Sequence, residues 1–127
     1  PGLLIGEENL QALADADVFV LPSQAESFSF AMFEAMASRI PVVVSGTMDY
    51  ADQIRQCGAG FVVPPDPQEF ASAILKLLRD SDLRRRMGEN GLRMVQAYSW
   101  KACGEKIERA IRCILDRQPL PTDLTLQ

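Results

Sequence analysis

The sequence contains no histidine. That absence removes the Ser-His and Cys-His pairs that activate many nucleophilic enzymes, and the imidazole ligands of most zinc sites. Cysteine is scarce: Cys57, Cys103 and Cys113 are odd in number and far apart, without the close pairs that zinc and redox motifs use. They read as reduced thiols in a cytoplasmic setting, with no metal bound. No apolar run is long enough to cross a bilayer. The N-terminus also lacks a basic stretch followed by an apolar core and a small-residue cleavage site. Neither a membrane span nor a secretory signal is expected. Long charge runs are missing as well. Thirteen basic and seventeen acidic residues leave a net charge of −4, which excludes a general footprint for nucleic acid.

What is present is the composition of an ordinary globular protein, 47% hydrophobic and 24% charged over 127 residues, enough for one folding unit around one core. Short apolar runs alternate with helical patterns, the signature of βα units that build a parallel sheet. The expected strands are Leu3-Leu4-Ile5, Val18-Phe19-Val20-Leu21, Pro41-Val42-Val43-Val44 and Gly60-Phe61-Val62-Val63. They are continuously apolar rather than alternating, as strands covered on both faces should be. Leu10, Leu13 and Ala14 mark a short helix over 8–16, and further helices are expected over 29–37 and 49–56.

Beyond Val63 the pattern changes to three successive helices. Asp66-Pro67-Gln68-Glu69 sets a capping residue, a first-turn proline and an acidic residue ahead of Phe70, Ala73, Ile74, Leu77 and Leu78. Ser81 and Ser99 stand where caps of the next two helices belong, and Pro119 and Pro121 close the last one. The expected fold class is α/β: a partial doubly wound, Rossmann-like parallel sheet of about three to four strands, followed by C-terminal helices. Residues 1–116 form the domain and 117–127 a mobile tail. A full sheet of this kind has about five or six strands, so an upstream part is expected to be missing.

The segment that carries chemistry runs from Pro22 to Ala37. It leaves a buried strand and opens a helix, so its loop lies at the carboxyl edge of the sheet, where open α/β folds bind ligands. Backbone N–H groups around Phe28, Ser29 and Phe30 are free to hold an anion at the positive end of the helix dipole. Glu34 stands among Phe30, Phe33, Ala35, Met36 and Ala37, so a desolvated carboxylate that needs a partner is expected. Were residues 26–34 all helical, Glu26 and Glu34 would lie roughly 12 Å apart, the span from sugar to ribose in a nucleotide sugar. On spacing alone, a solvated Glu26 and a Glu34 salt-bridged to an arginine is the favoured reading, since two glutamates eight apart are common.

The stretch resembles the Glu-(seven residues)-Glu motif of the retaining glycosyltransferases with two Rossmann-like domains, the GT-B architecture of group 1, or family 4. The resemblance extends over Ala14-Asp15-Ala16-Asp17-Val18 into Pro22-Ser23, over Glu34-Ala35-Met36-Ala37 and Pro41 to Val44, and over Gly58 to Pro67. It ends with Leu83-Arg84-Arg85-Arg86-Met87-Gly88 and Tyr98-Ser99-Trp100. It implies that Glu26 is the catalytic glutamate beside the reacting sugar, that Glu34 binds the ribose, and that the amides of Phe28, Ser29 and Phe30 hold sugar or diphosphate. The reaction so implied transfers a sugar from a nucleotide sugar, such as a UDP- or GDP-sugar, to an acceptor hydroxyl with retention and without an essential metal or other cofactor. In such enzymes the phosphate-binding arginine and lysine, the upstream half of the donor domain and the acceptor domain all precede the part this chain resembles. The isolated chain is therefore expected to be inactive.

Several positions depart from the family pattern. Ser27 and Ser29 replace glycines of the loop, Arg39 stands where a helix-ending glycine is usual, and Met48-Asp49 replaces a Gly-Gly pair. These support the alternative of a non-catalytic fragment that serves as an interaction or structural module, self-associating through an exposed sheet edge. Arg84-Arg85-Arg86 reads as a solvated helix face offset by Asp80, Asp82 and Glu89. Met32 and Met36 read as core, and Tyr98 with Trp100 as a packing junction between helices.

Overall fold

The structure is a computed structural model that describes residues 2–122. The chain divides into two compact units, Pro1–Val95 and Gln96–Gln127. The first holds a short helix α1 (Glu7–Ala14), then β1 (Phe19–Leu21), α2 (Phe30–Ala37), β2 (Val42–Ser45), α3 (Ala51–Cys57), β3 (Gly60–Val63), α4 (Pro67–Arg79) and nearly all of α5 (Ser81–Gln96). The sheet is three-stranded and parallel in the order β1-β2-β3, with Phe19 beside Val42 and Val43 beside Phe61. It is an α/β, Rossmann-like arrangement with helices on both faces.

The alternation of side chains along β2 sorts the core into two layers. Val42 and Val44 point to one face, where they pack with Met32, Phe33, Met36, Met48, Ile54 and Ala59. Val43 points to the other, against Val63 and the α4 residues Phe70, Ala73 and Leu77. All four β2 residues are buried, so the continuous apolar run expected of a two-face strand is met. Met32 and Met36 are fully buried, as their spacing required.

The Leu3-Leu4-Ile5 strand does not form. Residues 2–5 have no regular structure, and Leu3 and Ile5 are largely exposed. A strand needs a neighbour for its hydrogen bonds, and no described residue pairs with this segment. Two helix starts follow the expected chemistry. Asp66 accepts bonds from the Gln68 and Glu69 amides with Pro67 in the first turn, and Ser29 Oγ accepts one from the Met32 amide. The start of α5 does not, because Asp80 and not Ser81 is the cap, its Oδ1 accepting from the Leu83 amide at 2.8 Å.

Two glycines explain how the helices close on the sheet. Gly58 ends α3 in the left-handed region, φ 67°, which glycine enters without steric cost. Gly88 lies directly on the backbone of Arg39, where an added Cβ would collide with the Arg39 carbonyl oxygen. Here α5 rests on the turn after α2. Arg84 also departs from its expected role. Its guanidinium donates to the Leu77 and Leu78 carbonyls at the end of α4 and pairs with Asp17 at 3.3 Å, so it is a helix cap rather than a solvated charge.

The second unit consists of α6 (Trp100–Leu115) and the chain after it. Ser99 caps α6 through the Ala102 amide. The helix ends before the prolines. Arg117 takes a left-handed φ of 55°, while the Arg117 and Gln118 amides bond back to the Ile114 and Cys113 carbonyls. Trp100, at the start of this helix, is 91% exposed. The expected tail, 117–127, lies partly outside the described residues.

Candidate functional site

The carboxyl ends of β1 and β2 each release a loop, 22–29 and 46–50, and the two loops are tied together. The Asp49 amide donates to the Glu26 carbonyl at 3.2 Å, and Thr47 Oγ1 donates to the Ser23 carbonyl at 3.3 Å. Ser45 Oγ, fully buried at the end of β2, shares a 2.8 Å hydrogen bond with Thr47 Oγ1. The backbone beside Glu26 is thereby held at the sheet edge, with its side chain half-buried.

Ser29 then opens α2. It sits in an extended conformation, φ −108°, that any residue adopts, so its Cβ causes no backbone strain. Its hydroxyl turns inward and takes the Met32 amide, while the Phe33 amide bonds to the Ser29 carbonyl. No bond between described residues engages the amides of Phe28, Ser29, Phe30 or Ala31. Four N–H groups therefore remain at the positive end of the helix. The Ala31 amide was not singled out from sequence; the position of the Ser29 cap, two residues earlier, is the signal that would have found it.

Glu34 is not desolvated. It is exposed on α2, whereas Met32, Phe33, Ala35 and Met36 are buried. Phe33, Ala35 and Met36 lie on the buried face of the helix, because 3.6 residues complete a turn, whereas Phe30 and Ala37 are exposed with Glu34. Nor is it salt-bridged to an arginine: no hydrogen bond or ion pair between described residues occupies either the Glu34 or the Glu26 carboxylate. Both can accept hydroxyl donors from a ligand. Residues 26–29 are loop rather than helix, so the two carboxylates do not share the single helical face that the spacing allowed.

An aromatic cluster supports this edge. The Phe28 ring stacks on Phe33 at 4.5 Å and meets the edges of Phe30 at 4.9 Å and Tyr50 at 5.6 Å. Phe33 is buried by these contacts, while Phe30 remains 72% exposed. The site so assembled is an open surface. It carries unpartnered N–H donors, the exposed rings of Phe28 and Phe30 and two free carboxylates, a set suited to a ligand with both an anionic group and hydroxyls. Among the described residues no group of histidine, cysteine, aspartate or glutamate is arranged to hold a metal ion.

Comparison with known proteins places this geometry in context. The model of the family described as glycosyl transferases group 1 matches residues 5–94. The chain belongs to that family. Within the glycosyl transferases group 1 it is 34% identical over 110 residues to the sulfoquinovosyl transferase SQD2 of Arabidopsis thaliana, covering 84% of this chain and 22% of that protein. It is also 34% identical over 104 residues to the D-inositol 3-phosphate glycosyltransferase of Corynebacterium jeikeium, covering 81% of this chain and 25% of the relative. Among solved structures it matches the sucrose-phosphate synthase of Thermosynechococcus elongatus with a TM-score of 0.76 and 32% identity, over 90% of this chain and 29% of the other. These glycosyl transferases are GT-B proteins, and the chain spans about a quarter of their length. No helix among the described residues is long and apolar enough to cross a membrane.

Proposed function

We propose that residues 1–116 are the C-terminal part of the nucleotide-sugar-binding domain of a retaining glycosyltransferase, with 117–127 as a tail. In this reading the amides at the start of α2, contributed by Phe28, Ser29 and Phe30 with Ala31 beside them, hold the diphosphate. Glu34 accepts ribose hydroxyls, and Glu26 faces the donor sugar near the carbon where the glycosidic bond breaks. Sugar passes to an acceptor hydroxyl and a nucleoside diphosphate departs. Negative charge builds on the leaving phosphate, where aligned N–H groups lower the barrier. No metal or other cofactor takes part, and the free thiols suit the proposed cytoplasmic setting.

The observation that carries this reading is the open start of α2, with four unengaged amides one turn from a carboxylate that has no partner. Isothermal titration of the chain with UDP and GDP tests it: weak binding is expected, and Glu34→Ala should weaken it at least tenfold. A Glu34→Ala chain that binds as well as the unaltered one would count against the assignment. The basic phosphate clamp and the acceptor domain of the full architecture are proposed to lie outside this chain. Purified chain should therefore transfer no sugar, and measurable transfer would contradict this.

One observation favours a second, non-catalytic reading. The outer edge of β1 pairs with no described strand, and Val20 on it is 38% exposed. An open edge of this kind favours strand addition. A fragment acting as an interaction module would self-associate through it, so light scattering that finds only monomer at all concentrations would remove this alternative.

A further inference from the structure

We propose that the Phe30 ring is a positioning surface for the donor: the apolar face of the ribose packs on it, so the site selects a nucleoside diphosphate over inorganic pyrophosphate. The inference rests on the donor reading above. It begins from an anomaly in the packing of α2. Met32, Phe33, Ala35 and Met36 are buried, and the Phe28 ring is stacked on Phe33, yet Phe30 stands 72% exposed. The ring is not loose. The Phe28 ring meets it edge to face at 4.9 Å and an interplanar angle of 70°, which holds one side and leaves the rest to solvent.

Glu34 lies one turn further along the same face, since residues four apart on a helix are neighbours. That face therefore presents, in order, the open Phe30 and Ala31 amides, an apolar ring and a free carboxylate. A nucleoside diphosphate presents the complementary order: phosphate oxygens, the C–H face of the ribose, then the ribose hydroxyls. The rise from Phe30 to Glu34 is about 6 Å along the helix axis, which also keeps the anionic phosphate clear of the Glu34 carboxylate. Covering the ring with the sugar removes exposed apolar surface from water, a gain that pyrophosphate cannot provide.

Ligand-observed NMR titrations of UDP and of inorganic pyrophosphate test the assignment on the full chain and on its Phe30→Ala, Phe30→Leu and Glu34→Ala variants. Phe30→Ala should weaken UDP binding about three- to tenfold and leave pyrophosphate binding unchanged, with Phe30→Leu between the two. Thermal melts should be nearly unaffected, because the ring is exposed. Equal losses for UDP and pyrophosphate, or no loss for either, would overturn the proposal. If Glu34→Ala weakens UDP binding and Phe30→Ala leaves it unchanged, this inference fails while the donor reading stands. If the unaltered chain binds no UDP, both fall.

Discussion

The two ends of α2 are built for different purposes. At its start, Ser29 caps one amide inward and leaves four others without an acceptor, beside an exposed ring and, one turn on, a free carboxylate. At its end the Ser38, Arg39 and Ile40 amides bond back to the Glu34, Ala35 and Met36 carbonyls. Arg39 is forced to a left-handed φ of 61°, its guanidinium pairs with Glu89 at 2.9 Å, and Gly88 presses on its carbonyl. In the proposed reading the start keeps its polar groups for a ligand while the end uses them in packing, so substitutions at the two ends should fail in different assays.

The largest expected effect is at the packed end. Gly88→Ala places a Cβ against backbone that cannot move aside, and should destabilise the chain by about 3 kcal/mol, measured by urea unfolding. A loss within a few tenths of a kcal/mol would mean that α5 does not rest on Arg39. Next comes the tenfold or greater loss of nucleotide affinity from Glu34→Ala, about 1.4 kcal/mol, with an unchanged unfolding midpoint because the side chain is exposed. Ser29→Ala removes a cap and should cost about 1 kcal/mol of stability, whereas Ser29→Gly should cost only a few tenths. If both cost the same, the hydroxyl is not the cap. The smallest effect is a gain. Arg39→Gly relieves left-handed strain of about 1–2 kcal/mol but loses an exposed ion pair and adds glycine flexibility, leaving roughly 0.5 kcal/mol of net stabilisation. A destabilised Arg39→Gly chain would show that the Glu89 pair outweighs the strain.

Elements whose determinants are local were legible in the sequence. Gly60–Val63 matches its expected strand residue for residue, and the Asp66-Pro67 start of α4 bonds as its side chains dictate. What was not legible depends on neighbours in space. Leu3 to Ile5 has the composition of a strand but no partner. Glu34 has apolar neighbours along the chain but is not buried among them, because α2 turns Phe33, Ala35 and Met36 to the other face. The capping role of Arg84 depends on where α4 ends relative to α5, which a count of charges does not contain. In the candidate site, the identities of Glu26, Phe28, Ser29, Phe30 and Glu34 came from the motif and the free amides of Phe28, Ser29 and Phe30 from the expected helix start, while the open Ala31 amide and the exposed ring became visible only with the backbone in place.

The bond from the Asp49 amide to the Glu26 carbonyl makes the two loops a single mechanical piece. The β2–α3 loop thus acts as a handle on the backbone of Glu26. Sequence changes there can retune where Glu26 stands while leaving the glutamate itself intact.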